Sequence, residues 1–161
     1  MTKKLFLLMT SMIFGLVLMS GSAQAQKLSK ESKNAYYFFK IVNTDFDATI
    51  VRVKETLKEQ GFGVVSEINM QQKITKATGK EMDAYVILGA CNPQGAYEAL
   101  QLDAHVGLLL PCNVIVRDLG NGRVEVAAIN PEKTMENVKK SEMKKLAKEI
   151  AEKLQLAISN I

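Results

Sequence analysis

Tryptophan is absent from this chain, histidine occurs once and cysteine only twice. Each scarcity removes a class of function. A single histidine, His105, leaves no Ser/His/Asp set to assemble and no histidine-rich group of metal ligands. There is no P-loop, no Gly-x-Gly-x-x-Gly and no paired-carboxylate motif, so the usual handles on nucleotide and hydrolytic chemistry are missing. No catalytic residue and no cofactor is implied. Lys and Glu are interleaved rather than clustered, and no aromatic-plus-Arg platform exists, so nucleic-acid binding finds no support. The one long apolar run, Leu5 to Met19, has 15 residues, short of the roughly 20 that a spanning helix needs.

That run is informative in its setting. Lys3 and Lys4 precede it and Ala23-Gln24-Ala25 follows it, the order of a secretory signal peptide cut after Ala25. An uncleaved anchor is the alternative, and no cysteine lies near the cut to carry a lipid. The expected organisation is a signal peptide over 1–25, a Lys/Ser-rich leader over 26–34 and a single domain over 35–161. Export places the mature chain in the periplasm or outside the cell, with no membrane attachment after cleavage. Two of the 21 basic residues and none of the 17 acidic ones precede the cut, so the mature chain is only weakly basic.

Periodicity then predicts the elements. Tyr36 to Val42 alternates as a strand, with Tyr37, Phe39 and Ile41 on one face. Thr44 with Asp47 resembles a capping box, opening a helix that buries Phe46, Ile50, Val53 and Leu57 and ends at Gly61. Phe62 to Ile68 is a second strand, 69–80 a short surface helix rather than a strand, and Ala84 to Ala90 a strand buried on both faces. Asn92 can cap a helix with Pro93 at its first position and Ala96, Leu100 and Ala99 inward. Val106 to Arg117 reads as extended, Asn121-Gly122 as a tight hairpin, and Arg123 to Ile129 as a strand with Val124, Val126 and Ala128 inward and Arg123 and Glu125 outward. A long helix from Thr134 carries the stripe Met143, Leu146, Ile150, Leu154 and Ala157. The class is α+β, about five strands covered by helices.

The candidate site residues come from two similar settings, Cys91-Asn92-Pro93 and Pro111-Cys112-Asn113. If 106–112 ran parallel to 84–90, a helix of ~15 Å and a strand of ~20 Å would return both cysteines to similar height. Parity puts Cys112 in the core with Val114 and Val116. Four states remain open: a structural disulfide, two separate buried thiols, a redox or metal-binding pair, and intermolecular pairing. His105 could join the cysteines around a soft metal, but it reads more simply as a half-exposed loop residue after Asp103. The methionines beyond the signal segment, Met70, Met82, Met135 and Met143, show no Met-x-x-Met pattern. Pro111 within a strand marks an edge, a bulge or the strand's start.

The motifs "ILGACNP", "AYEAL" and "VGLLLPCNVIV", with "GFGVVSEI" and "AINP", resemble the domain-of-unknown-function 302 family, also called TT1751-like, over Tyr36 to Ile158. The resemblance implies a TATA-binding-protein-like β-α-β4-α fold with a largely antiparallel sheet, the Pro93 helix being an insertion. It also implies a homodimer, and it makes Cys91, Asn92, Pro93, Pro111, Cys112 and Asn113 signature residues; it implies no activity. The expected role is an exported, non-catalytic binding or interaction domain. The alternatives are a thiol-based redox or metal-handling protein using Cys91 and Cys112, and a small-molecule carrier with a pocket beside them. The intact mass of the exported protein should equal that of residues 26–161; retention of the first 25 residues would show the anchor instead.

Overall fold

The computed structural model describes residues 35–161, so the expectations for 1–25 and 26–34 lie outside it. Strands β1 (Tyr37–Val42), β2 (Gly63–Asn69), β3 (Tyr85–Cys91), β4 (Cys112–Asp118) and β5 (Val124–Ile129) form one sheet in the order β1-β5-β4-β3-β2. Every neighbouring pair is antiparallel. The helices are α1 (Phe46–Glu59), α2 (Met70–Thr78), α3 (Pro93–Leu102), the single turn α4 (Pro131–Thr134) and α5 (Ser141–Ser159), with a 3-10 helix over Ala104–Leu109. Setting aside α2, α3, the 3-10 turn and α4 leaves β-α-β4-α, so the α+β expectation and its inserted helix hold.

The core lies on one face of the sheet. Val86, Leu88 and Ala90 of β3, Val114 and Val116 of β4, and Val124, Val126 and Ala128 of β5 pack with Ile50, Val53 and Leu57 of α1 and Leu154, Ala157 and Ile158 of α5. Tyr37, Phe39 and Ile41 do share a face, and it is the other one. Lys40, opposite Val126, therefore lies on the covered side. Its ammonium reaches the end of α5, donating to the main-chain oxygens of Ser159 at 2.9 Å and Ile161 at 2.6 Å. Arg52 donates to the Asn160 oxygen at 3.0 Å. Two cations thus satisfy the carbonyls at the negative end of the helix.

Several expectations are corrected. The N-cap of α1 is Asp45, whose carboxylate accepts from Ala48 N at 2.9 Å. Thr44 stands one residue too early and shares a 2.7 Å hydrogen bond with the Thr49 hydroxyl. The end of α1 is as expected: Gly61, at φ 79, lets its own N–H reach Lys58 O while Phe62 N–H reaches Leu57 O, the Schellman pair. Residues 69–80 contain the helix α2, capped by Asn69. The stretch 104–109 is not extended, because the Asp103 carboxylate accepts from His105 N at 2.9 Å and starts a 3-10 turn. Hence β4 begins only at Cys112 and runs antiparallel to β3, not parallel.

In α3 the buried positions are Gly95 and Ala99, while Leu100 is exposed. Close packing on α5 selects the small residues: a Cβ on Gly95 would lie 2.7 Å from Ile150 Cδ1. β3 is fully buried only on the core side, since Tyr85 and Ile87 are half-buried. The long C-terminal helix is two helices, because Asn130 caps α4 with Pro131 at its first position and the chain turns again before Ser141. Glu125 points away from the core as parity requires, yet it is buried. The hairpin forms as expected, with Asn121 at φ 55 and Arg123 N–H on Gly120 O.

Asn92 joins two elements. Its Oδ1 accepts from Gly95 N at 2.9 Å and its Nδ2 donates to Gly61 O at 3.0 Å. Asn92→Ala should therefore cost about 1–2 kcal/mol in urea unfolding, a cap and a tertiary bond together. Asn92→Asp, which keeps the cap alone, should fall between; an Ala variant as stable as the parent would refute this role.

Candidate functional site

The six signature residues do not form one cluster. Cys91 ends β3 and Asn92 caps α3, with Pro93 exposed at the first helical position. Pro111 follows a cis peptide bond, and its ring sits over Gly89, where an added Cβ would be 2.7 Å from Pro111 Cγ and would also meet Ser66 Oγ. This close approach explains the glycine in mid-strand. Cys112 opens β4 opposite Ala90 and is buried. Asn113, one residue on, is exposed on the other face of the sheet. His105 is 90% exposed and bonds only to Asp103.

Cys91, Asn92 and Cys112 are brought together at a small cavity beneath α3. It measures ≈ 30 Å³, and Met135 and Met143 also line it. The rest of its wall is apolar, including Phe62, Ala99, Leu146 and Ile150. A space of this size holds about two water-sized bodies, so no organic ligand of ordinary size fits between the cysteines. The carrier reading loses its pocket at that place. His105 is not in the wall. Among the described residues no group of three or more His, Cys, Asp and Glu could hold a metal ion. Met135 and Met143 escaped the sequence reading because they stand eight residues apart across the α4–α5 turn, a spacing that carries no ligand pattern.

Both thiols are free. Ala90, not Cys91, is the cross-strand partner of Cys112, so alternation sets the two cysteines against opposite faces of the pleat at this point. That is a poor start for a disulfide. Burial, and then the neighbouring Cys91, push the Cys112 thiol up to about 11. A thiol held so firmly protonated is the opposite of an activated nucleophile.

The other face of the sheet carries a larger feature. An open groove of ≈ 380 Å³ is lined by Tyr36, Tyr37, Tyr85, Asn113, Ile115, Arg117, Glu125 and Ile129 among others. At its floor Arg117 and Glu125, paired across β4 and β5, are joined by Nε and Nη2 to one carboxylate oxygen at 3.0 and 2.6 Å. The glutamate is 12% exposed at its side chain and the arginine 45%. Apart from Asn113, the sequence reading singled out none of these as site residues. The signal was present: β4 and β5 are apolar at positions facing away from the core, Ile115, Ala127 and Ile129, where a one-sided sheet should be polar.

A family model described as "Domain of unknown function DUF302" matches residues 39–161. A crystal structure of an uncharacterized conserved protein DUF302 from Bacillus stearothermophilus superimposes with a TM-score of 0.72 at 28% identity, covering 78% of this chain and 97% of that one. None of the curated proteins matches.

The Cys112 thiol makes stability depend on pH. Because the folded chain holds this proton more tightly than the unfolded one, the advantage is complete below the ordinary thiol pKa of about 8.5 and is lost as pH rises toward about 11. The loss should be on the order of 3 kcal/mol. Urea unfolding at pH 8 and pH 10.5 should show a smaller drop for Cys112→Ala than for the parent. In the native protein an alkylating agent should modify Cys91 first and reach Cys112 only on unfolding.

Proposed function

Because the chain belongs to the DUF302 family, whose description assigns no activity, we propose that it is a non-catalytic interaction module, exported and working as a homodimer. The carrying observation is the second face of the sheet. It presents Tyr37, Phe39 and Ile41 of β1 beside Ile129 of β5 and Ile115 of β4, over the buried Ala127, with Ile41 46% and Tyr36 68% exposed. Five strands about 4.8 Å apart, six residues long at about 3.3 Å each, give a footprint of about 24 by 20 Å. That is about 480 Å² of flat area, a little over half of the ~800 Å² per partner that stable dimers use. An apolar face whose one ion pair, Arg117 with Glu125, is neutralised within the chain suits the same face of a second copy.

Further support comes from what surrounds the cysteines. A protonated, buried Cys112 and a cavity too small for a substrate favour a packing role over thiol catalysis. Sedimentation equilibrium should give twice the chain mass at micromolar concentration. Ile115→Lys should give a folded monomer by circular dichroism, while Leu156→Lys, on the exposed side of α5, should remain dimeric. A parent protein that stays monomeric throughout, or an Ile115→Lys variant that stays dimeric, would overturn the assignment of this face.

A further inference from the structure

The cavity beneath α3 has a composition that its packing role does not require. Six sulfur-bearing residues occur among the described residues, Met70, Met82, Cys91, Cys112, Met135 and Met143, and four of them line this one cavity. They come from three separate parts of the fold: the end of β3, the start of β4 and the two ends of the α4–α5 turn. Cys112, Met135 and Met143 are buried, and Cys91 is half-buried.

The only other side chain in the wall with a nitrogen or oxygen is Asn92. Its oxygen is engaged by Gly95 N and its nitrogen by Gly61 O, so it has no donor to spare without uncapping α3. A hard cation would find no ligands here. Thiols and thioethers are the donors that select soft cations. Metal–thiolate bonds are about 2.3 Å long, so a bare ion among sulfurs suits a ≈ 30 Å³ space in a way that a molecule does not.

We propose that the cavity into which Cys112, Met135 and Met143 are buried is a binding site for a soft monovalent cation, Cu(I) or Ag(I). Charge supports a monovalent ion: one cation with one thiolate is neutral, and a neutral pair is the form that an apolar wall tolerates. Binding forms a metal–sulfur bond, and the thiol proton leaves to solvent, with no change in oxidation state. Cys112, Met135 and Met143, all buried, are the ligands. The site lies on the core side of the sheet, so it is independent of the proposed dimer face.

The test uses the purified exported protein, reduced and anaerobic. Cu(I) is titrated in competition with a chromophoric Cu(I) chelator, with native mass spectrometry for stoichiometry and Zn(II) as the contrasting ion. One Cu(I) per chain and no retained Zn(II) are expected. Met143→Leu, a volume-conserving change, should keep the circular dichroism spectrum and weaken Cu(I) binding by at least the roughly tenfold that even an outer-shell partner is worth. Cys112→Ala should weaken it further. A protein that holds no Cu(I) against the chelator overturns the proposal. So does a folded Met143→Leu variant with unchanged affinity, which would mark the ion as an adduct of an accessible thiol. Dimer mass is read in the same spectra and stands or falls separately.

Discussion

One requirement organises this molecule: a continuous apolar face on the three central strands must be covered. Val86, Leu88, Val114, Val116, Val124 and Val126 are all at most 5% exposed, and α1 and α5 cover them. Because side chains alternate along a strand, a slip of one residue would turn this whole set toward solvent. The register is therefore fixed, and with it every position that matters elsewhere. Cys112 goes inward because Val114 does. Asn113, Ile115 and Arg117 go outward for the same reason.

The second constraint is local. Asn92 ties the first turn of α3 to the chain reversal after α1. This holds α3 against α5, where Ala99, Met143 and Ala147 form a second, smaller apolar cluster with Val106 and Met135. The cavity is the residual space between the two clusters, and so its wall mixes a strand end, a strand start and two helices. Its sulfur-bearing residues line one space because two separate packing problems share a boundary. Asn130-Pro131 repeats the Asn-Pro device at the start of α4, which carries Met135 to that boundary.

Much of the fold was legible along the chain. Period-two and period-3.6 patterns located all five strands and the main helices, because each segment's burial is set by its own repeat. Asn92, Asn121-Gly122 and Gly61 were legible because caps and turns are interactions within a few residues. The failures share a cause. Residues 106–111 are apolar enough to read as a strand, yet Asp103 starts a 3-10 helix that takes them up to Leu109. Leu100 has helical spacing, but Ile150 leaves no room for a Cβ at Gly95, and the face that packs on α5 is that of Gly95 and Ala99. Glu125 looked like a solvated charge, and only its cross-strand neighbour Arg117 shows how it is accommodated beside Ala127.

The candidate sites divide along the same line. By itself the sequence determined the α+β class, the inward parity of Cys112, the helix start at Asn92 and the family signature, since each rests on neighbours in the chain. The tertiary structure alone decided that β3 and β4 run antiparallel, that Cys91 and Cys112 share a cavity with Met135 and Met143, and that three tyrosines ring an Arg117–Glu125 pair on the opposite face. Those juxtapositions depend on how strands are ordered and helices are seated. That is settled by the collective burial of the core, and no local pattern records it.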